Sequence, residues 1–387
     1  MHKPLRVLAV DVGTGTQDIL LFESDRAIEN CFQLIMPSPT VIVAEQIRRA
    51  TQTGAPVLLT GRTMGGGPSA WAARDHAQAG HPTFATSDAG RTLDDDLSAV
   101  SALGITIVDD GEIPALERQY GDTLTRVHMR DFDAVAIRAA LTAFAVSPEV
   151  DVIAVAAFDH GAAPPGYSDR RFRFDYIERA VRARPEPTAF AYEADAIPAD
   201  LTRLAAVARD AEEYQAGAGT PPRIFVMDTG AAAVAGALED QTVASREECL
   251  VANIGNFHTL AFHLRAGRIL SLFEHHTGEL TQAQLEGYLR DLAAGTLENE
   301  RVFAESGHGA LRLAEAGGSG GADGQFPFLA VTGPRRELLR GSSLRPYEAV
   351  PHGDMMLAGC FGLLRGVEAL ALELAPAIDA TLGAPTR

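Results

Sequence analysis

One pattern occurs twice in this chain of 387 residues, and it restricts the possible folds more than any other feature. Each copy consists of an apolar strand, a polar turn that contains glycine, and a second apolar strand. The copies are VLAVDVGTGTQDILLF, which begins at Val7, and CLVANIGNFHTLAFHL, which begins at Cys249. Two such hairpins predict two structural units of similar design, each of which starts with its hairpin.

Strand-like and helix-like segments alternate through most of the chain, which is typical of an α/β protein. Apolar residues make up 46% of the sequence, enough for sizeable cores, and a chain of this length is expected to form two lobes. We predict a first lobe over residues 1–240, a second over residues 246–387, and a flexible polar loop at 317–324. Predicted strands outside the hairpins lie at 31–36, 56–61, 83–86, 105–108, 150–158, 223–227, 268–273 and 326–334. Predicted helices lie at 40–53, from Thr281 to Gly295, and from Asp354 onward.

The charge and cysteine content exclude several classes of function. The chain has 33 Lys and Arg against 51 Asp and Glu, a formal net charge of −18, which argues against nucleic-acid and anionic-membrane binding. No apolar run reaches membrane-spanning length. Cys31, Cys249 and Cys360 are few and far apart, as expected in a reducing compartment. We therefore predict a cytoplasmic protein without nucleic-acid or membrane partners, and the sequence is compatible with a homodimer.

The turns of the two hairpins carry residues suited to phosphate. Gly13 and Gly15 leave backbone N–H groups open to an anion, and Thr14 and Thr16 add hydroxyl donors. Asp11, at the end of the first strand, is placed to hold Mg²⁺ through its water shell. An ordinary hairpin turn is the alternative for one copy alone, whereas two facing hairpins can clamp a polyphosphate from both sides. The second copy offers Asn253, Gly255, Asn256 and Thr259.

These motifs and two others resemble the superfamily of acetate and sugar kinases, heat-shock chaperone ATPases and actin. LAVDVGTGTQDILLF is similar to its first phosphate motif and LVANIGNFHTLAF to its second, although Asn253 stands where most members have Asp. LAVTGPRREL is similar to the adenosine motif, with one glycine in place of two, and GDMMLAGCFGLLRG to the closing helix. The resemblance implies a two-lobed actin-like ATPase (ribonuclease H-like) fold, each lobe a mixed sheet with flanking helices, and ATP with Mg²⁺ in the cleft. The implied adenosine-side contacts are Thr332, Gly333 and Arg335.

FVMDTGAAAVAGALED resembles the segment that carries the catalytic aspartate of carbohydrate kinases in this superfamily. There the aspartate takes the proton from the sugar hydroxyl, and Asp228 is the matching residue here, one position further from Gly236 than usual. The alternative is a helix N-cap, in which the acid favours the helix dipole by under ~1 kcal/mol.

Two further features predict a pocket for a second substrate. Three glycines precede a helix that begins at Pro68, where N–H groups can bind an anion or the loop can be a simple flexible connection. Histidines cluster in the segments DHG, EHHTG and GHG, which can form a metal site or, as we prefer, a polar pocket wall. Neighbours on a strand point to opposite faces, so His275 and His276 cannot both face the pocket. The predicted pocket residues are Gly65, Gly66, Gly67, Asp159, His160, His275 and His276.

The phrases TGRTMGGGP, DHG and EHHTG also resemble a prokaryotic family of this superfamily that has been labelled as related to pyruvate formate-lyase activating enzyme. The cysteines argue against that label, because radical chemistry with an iron–sulfur cluster needs a close cysteine triplet. The superfamily resemblance implies a kinase-like phosphotransferase acting on a small polar metabolite, with Asp11 and Asp228 in catalytic roles. The alternatives are an ATP-hydrolysing switch, such as a reactivase or assembly factor for a client protein, and a nucleotide binder without catalysis.

Overall fold

Three sheets organise the described part of the chain. The computed structural model describes residues 3–214, 220–313 and 326–383, so the predicted loop at 317–324 lies outside the described residues. The strands are β1 (Arg6–Val12), β2 (Thr16–Glu23), β3 (Phe32–Pro37), β4 (Val57–Gly61), β5 (Thr83–Thr86), β6 (Thr106–Val108), β7 (Thr125–Met129), β8 (Val152–Ala157), β9 (Ala191–Glu193), β10 (Arg223–Asp228), β11 (Glu248–Ile254), β12 (His258–Arg265), β13 (Arg268–His276), β14 (Gly307–Arg312), β15 (Phe328–Thr332) and β16 (Tyr347–Glu348).

The helices follow the apolar spacing of the sequence and cover the faces of these sheets. None of the described helices is both long and apolar enough to cross a membrane. The α-helices are α1 (Pro39–Thr53), α2 (Pro68–Gln78), α3 (Ser87–Gly90), α4 (Leu97–Ala102), α5 (Ile113–Tyr120), α6 (Ala134–Ala143), α7 (Asp169–Ala183), α8 (Thr202–Glu212), α9 (Thr229–Ala237), α10 (Gln241–Ala244), α11 (Gln282–Ala294), α12 (Asn299–Ala304), α13 (Ala358–Leu370) and α14 (Ala375–Leu382).

Two of the sheets repeat one topology. The first sheet has the order β3-β2-β1-β8-β10-β9, in which β1 to β3 form an antiparallel meander and β8 and β10 continue parallel to β1. The second has the order β14-β13-β12-β11-β15-β16, in which β11 to β14 form the meander and β15 runs parallel to β11. An antiparallel meander followed by parallel strands, present twice, is the actin-like ATPase arrangement. The predicted fold class is therefore confirmed.

A third sheet interrupts the first lobe between β3 and β8, and the sequence analysis did not recognise it as a unit. Its order is β6-β5-β4-β7 and all its strands are parallel. Helices α1 and α2 pack against each other beside it, with apolar residues such as Val43, Leu59 and Val127 in a core of their own. The loop after β4 carries the three glycines. This unit therefore presents them at the carboxyl end of a parallel strand, where α/β sheets usually bind ligands.

Helices α9 and α13 cross with their backbones in contact. A Cβ atom at Gly236 would collide with the carbonyl oxygen of Ala358, and one at Gly362 would collide with that of Ala232. Helix α13 also packs against β1 and β8, so the chain returns to the first sheet after completing the second. Glycines in these two helices are therefore required by a backbone contact, which compensates for the cost of about 1 kcal/mol that each imposes on a helix.

Local signals in the sequence match the helix ends of the second lobe closely. Thr281 forms a capping box with Gln284, and Gly295 ends α11 in the left-handed conformation with φ of 69°. The last long helix begins at Ala358, not at Asp354, because the Asp354 carboxylate accepts a hydrogen bond from the Met356 amide in a preceding turn. Strands β9 and β16 contain only three and two residues, too few for a recognisable pattern.

Candidate functional site

The turns of the two hairpins close in the same way. In the first, the amide of Gly13 donates to the carbonyl oxygen of Thr16 at 3.0 Å, and in the second the amide of Gly255 donates to that of His258 at 2.9 Å. Each turn therefore begins with a glycine and spans the same number of residues. The repeated pattern in the sequence corresponds to a repeated backbone geometry.

These turns and the glycine loop meet in the cleft between the sheets. A Cβ atom at Gly15 would lie 3.1 Å from the side-chain nitrogen of Asn256, so the two turns touch. A Cβ atom at Gly67 would lie 2.7 Å from the ring of Phe257 and 3.8 Å from the methyl group of Thr14. The structure thus brings three glycine-containing segments from three sheets into one place.

Two carboxylates face each other at the base of the first hairpin. Asp11 on β1 lies directly opposite Asp18 on β2, and both are buried. Thr229 donates its hydroxyl to Asp11 at 2.6 Å, whereas Asp18 Oδ1 and the neighbouring Gln17 Oε1 are buried without a partner. Burial raises the pKa of Asp11 to about 7, reinforced by the charge of Asp228. Burial also raises the pKa of Asp18 to about 8, reinforced by the charge of Asp11.

This carboxylate pair fits Mg²⁺. Among the described residues, no Lys or Arg forms an ion pair with Asp11 or Asp18, and one oxygen of Asp18 lacks any partner. Hard divalent cations take carboxylate and amide oxygens as ligands, and their charge would compensate both acids. Asp11 was predicted from the sequence, whereas Asp18 was not. A hairpin that closes between Gly13 and Thr16 places residue 18 opposite residue 11, so the register contained the missing signal.

The adenosine-like segment lies beside the second turn. Strand β15 runs parallel to β11 with Thr332 opposite Asn253. Gly333 has φ of 94°, and a Cβ atom there would lie 2.6 Å from the Asn253 side-chain oxygen. The amide of Arg335 donates to the carbonyl oxygen of Ile254 at 2.9 Å, and its side chain is exposed. The predicted nucleotide residues of the second lobe therefore adjoin one another at one end of the sheet.

Two of the predicted ligand-binding groups already serve the fold. The hydroxyl of Thr259 is fully buried and lies 3.0 Å from that of Thr277. The amide of Gly65 donates to both oxygens of the buried Asp131 at 3.1 Å, and Arg203 contacts the same carboxylate at 2.7 and 3.0 Å. The anion that the glycine loop was predicted to bind is thus, at Gly65, a carboxylate of the protein itself. The rest of the loop is partly exposed.

Asp228 caps α9 and pairs with a buried arginine. Its Oδ1 accepts the backbone amides of Gly230 and Ala231 at 3.0 and 3.2 Å, and its Oδ2 lies 2.8 Å from Arg173 Nη2. Arg173 on α7 also contacts both oxygens of Glu274 on β13, at 3.1 and 2.8 Å. Burial raises the pKa of Asp228, and the Arg173 charge opposes that rise. The N-cap geometry is observed, while the role of catalytic base stays a prediction.

Four histidines meet beside this ion-pair network. The possible ligand atoms of His160, His258 and His308 all lie within 4.8 Å of one another, and the rings of His276 and His308 are 4.5 Å apart. Phe158 stacks on His258 with 3.9 Å between ring centroids. Burial lowers the pKa of His308 to about 2 and the pKa of His258 well below its ordinary value. These two imidazoles are therefore neutral at physiological pH.

His275 lies outside this cluster, on the other face of β13. Its two ring nitrogens contact the backbone oxygens of His276 and Glu305 at 3.0 and 2.9 Å, and it is fully buried. The predicted opposition of His275 and His276 is therefore observed. The sequence analysis assigned no role to His258, because nothing in a linear pattern brings β8, β12 and β14 together.

Asp159 holds the loop that carries His160. Its Oδ1 accepts the amide of Gly161 at 2.8 Å, and its Oδ2 accepts the amide of Leu204 in α8 at 2.9 Å. Both oxygens are therefore occupied, and burial raises the pKa of this carboxyl. Its observed contribution is to position the loop that carries His160, and its place in a substrate pocket stays a prediction.

Comparisons with solved structures return distant similarities over most of the chain. One is the ethanolamine utilization protein EutJ from Carboxydothermus hydrogenoformans, with 11% identity, a TM-score of 0.30, and coverage of 92% of this chain and 88% of that one. Another is a ROK hexokinase from Thermus thermophilus, with 14% identity, a TM-score of 0.30, and coverage of 95% and 100%. A third is a carbohydrate kinase from Novosphingobium aromaticivorans, with 12% identity, a TM-score of 0.29, and coverage of 95% and 92%.

A comparison with curated protein sequences found no match. Residues 64–338 match a protein family described as "Putative pyruvate format-lyase activating enzyme (DUF1786)". The matched segment includes the glycine loop, the histidine cluster and the second hairpin. Because this segment is well over half of the chain, the protein belongs to that family.

Proposed function

We propose that this protein binds a magnesium nucleotide between its two hairpins and transfers the terminal phosphoryl group to a small polar metabolite. The observation that carries the proposal is the opposed pair of Asp11 and Asp18 below two touching glycine turns. Buried, unneutralised carboxylates next to phosphate-type turns suit a cation that arrives with a polyphosphate. Phosphoryl transfer depends mostly on positioning and charge stabilisation, which rigid turns and a metal supply.

Each hairpin would have a different part in this proposal. Asp11 and Asp18 would hold Mg²⁺, which when bound compensates the negative charge of the phosphates. The backbone amides and hydroxyls of residues 13–16 would bind phosphate oxygens from one side. Residues 253–256 would bind them from the other side, and the adjoining Gly333 leaves room for the nucleoside. The adjacency of these segments in the structure supports the assignment.

The proposed acceptor of the substrate proton is Asp228, and its use requires a local rearrangement. Its Oδ2 is the oxygen that Arg173 now contacts, so Arg173 must withdraw before a substrate hydroxyl can approach. Arg173 keeps Glu274 as a second partner, and such a shift leaves the arginine paired. This matters because an uncompensated buried charge costs several kcal/mol, of the order of 3–5 kcal/mol.

A second candidate is a nucleotide-driven switch that acts on a client protein. One observation favours it: Arg173 joins Asp228 at the end of the first sheet to Glu274 in the second. Separation of the two sheets would break one of these ion pairs. In a protein that alternates between two arrangements of its lobes, these ion pairs would stabilise the arrangement in which the sheets are close together.

The first test is isothermal titration of Mg-ATP into the wild type and into Asp11→Asn. Binding to the wild type that the substitution weakens supports the proposed site, and ADP release then identifies acceptors among candidate metabolites. In Asp228→Asn, a phosphotransferase loses on the order of 10²–10⁴-fold in turnover while it still binds ATP. A switch keeps its slow hydrolysis in that variant. A folded wild type that binds no Mg-ATP rules out both functions.

The radical chemistry named in the family description is not proposed for this chain. It needs an iron–sulfur cluster held by closely spaced cysteines. Cys31, Cys249 and Cys360 are all buried as free thiols, and none of them takes part in a metal-type cluster within the described ranges. The Cys360 thiol instead donates to the carbonyl oxygen of Asp18 at 3.1 Å. The cysteines therefore contribute to packing.

A further inference from the structure

The histidine cluster gathers ligand atoms from three separate parts of the chain. His160 follows β8 of the first sheet, while His258 begins β12 and His308 lies in β14 of the second. Their candidate ligand atoms all lie within 4.8 Å of one another. Zinc holds imidazole nitrogens at about 2.0–2.1 Å, so side-chain shifts of about 1 Å would bring all three nitrogens within reach of one ion. The site therefore spans the cleft between the lobes.

Several nitrogens in this cluster are buried without any hydrogen-bond partner. They are Nε2 of His258 and both ring nitrogens of His308. A buried polar atom without a partner costs about 1–3 kcal/mol, so proteins seldom leave one unsatisfied. Here three such atoms occur on two neighbouring imidazoles that lie next to a third. A metal ion is a partner that neutral imidazoles can satisfy together.

A carboxylate and an aromatic ring adjoin the cluster. Glu274 Oε2 lies 3.7 Å from Nδ1 of His308, which is too far for a hydrogen bond but places a carboxylate beside the imidazole. The Arg173 charge is paired with Glu274 and Asp228, while Arg170 next to His308 and Arg203 near His160 add further positive charges. Phe158 stacks on His258 and restricts the orientation of its ring. The His258 imidazole is therefore held in one orientation before any ligand binds.

We propose that His160, His258 and His308 form a binding site for a zinc-class transition-metal ion, with one coordination position open. Imidazole nitrogen favours Zn²⁺ and its first-row neighbours over Mg²⁺, so this site differs in chemistry from the carboxylate pair at Asp11. His160 is exposed, which leaves the ion accessible from the cleft. Three histidines with an open position are typical of zinc sites that bind water or a substrate oxygen. The oxygen would belong to a hydroxylated or anionic second substrate. The proposal does not depend on nucleotide binding.

The test uses the full chain without an affinity tag, stripped with a chelator and titrated with Co²⁺ alone. Co²⁺ replaces Zn²⁺ and absorbs strongly in the visible range only when four- or five-coordinate. We expect a stoichiometric, intensely coloured complex in the wild type, and competition by Zn²⁺ that abolishes the colour. His160→Gln, His258→Gln and His308→Gln should each weaken Co²⁺ binding by at least the order of 10–100-fold that loss of an outer-shell partner causes.

His128→Gln is the matched control, because it removes one exposed histidine of the inserted sheet that is not a member of the cluster. It should keep the wild-type spectrum and affinity. Circular dichroism establishes that each variant is folded. If substitution of the half-buried His258 or the buried His308 prevents folding, His160→Gln decides the matter, because His160 is exposed. A folded wild type without the intense Co²⁺ spectrum would overturn the proposal, as would an equal affinity in His160→Gln and His128→Gln.

Discussion

The two hairpins have the same backbone geometry but carry different polar side chains. When their turns are aligned on the closing hydrogen bonds, Asp11 corresponds to Asn253 and Asp18 corresponds to Leu260. The first hairpin thus carries two buried acids where the second carries an amide and an apolar side chain. Leu260 instead packs on the first turn of α9, near Gly230. The carboxylate pair proposed to hold Mg²⁺ is therefore confined to one lobe.

The same alignment places His258 where the first hairpin has Thr16. One position thus has a threonine hydroxyl in the turn proposed to bind phosphate and an imidazole in the histidine cluster of the other lobe. The repeated turn keeps its backbone geometry while its side chains differ. The proposed site for a hard cation is therefore rich in oxygen, and the proposed site for a softer cation is rich in nitrogen.

The substitution Asp11→Asn gives the first hairpin the residue of the second and should have the largest effect. Loss of one charge from the proposed Mg²⁺ site should reduce phosphoryl transfer or ATP hydrolysis by on the order of 10²–10³-fold. Steady-state ADP release measures this effect. Asn253→Asp is the reciprocal control, and it adds an acid without removing one. Equal turnover in wild type and Asp11→Asn would show that the difference between the hairpins has no catalytic meaning.

The substitution His258→Thr gives the second hairpin the residue of the first. It should weaken Zn²⁺ binding by at least on the order of 10–100-fold, because one imidazole ligand is lost. The affinity for Mg-ATP should change far less, since threonine occupies the corresponding place in the first turn. Competitive titration with a chromogenic chelator gives the first affinity and calorimetry the second. Equal losses of both affinities would contradict the division between the two sites.

A substitution on either helix at the crossing of α9 and α13 should destabilise the protein by a similar amount. Gly362→Ala and Gly236→Ala each place a methyl group against a backbone carbonyl of the other helix, and should lower the free energy of unfolding by about 1–3 kcal/mol. Urea denaturation measures both. Gly111→Ala is the control, because a Cβ atom there meets nothing within 4 Å. A strong effect in only one of the pair would show that one helix can move aside.

The carboxylate pair also predicts a difference in pH dependence with and without Mg²⁺. The pKa of Asp11 is raised to about 7 and that of Asp18 to about 8, so the folded state retains protons that the unfolded chain has released. Stability without divalent ions should therefore fall as the pH rises from about 4 to 8. Mg²⁺ should recover a few degrees of melting temperature near pH 8. Asp18→Asn should flatten both trends, and a pH dependence equal to that of the wild type would contradict the assignment.

Much of the fold was predictable because its signals are local. The hairpins, the capping box at Thr281 and the stop at Gly295 depend on residues within one turn or one pair of strands. The inserted parallel sheet was not predicted as a unit, because the pairing order of β4 to β7 depends on long-range packing. No short pattern specifies which parallel strands are neighbours.

The residues of the candidate site also fall into two groups: those that a local motif predicts and those that only long-range packing brings together. Asp11 and the turn residues were found because their chemistry lies within one motif. Asp18 was missed although the hairpin register implied it. Arg173 and its bond to Glu274 lay beyond any pattern, since their positions are separated by a hundred residues in sequence and joined only by the packing of two sheets. The same reason explains why no role was assigned to His258.

The contact between α9 and α13 limits the motions that the molecule can make. Carbonyl groups of each helix lie where side chains of the other would normally intervene, so the helices have no layer of side chains along which to slide. Sliding of packed helices is one of the two common ways in which lobes move, and rotation about a few residues is the other. The close contact disfavours sliding. We therefore expect any movement between the lobes to be a rotation about this crossing, which would displace the turns across the cleft more than the helices themselves.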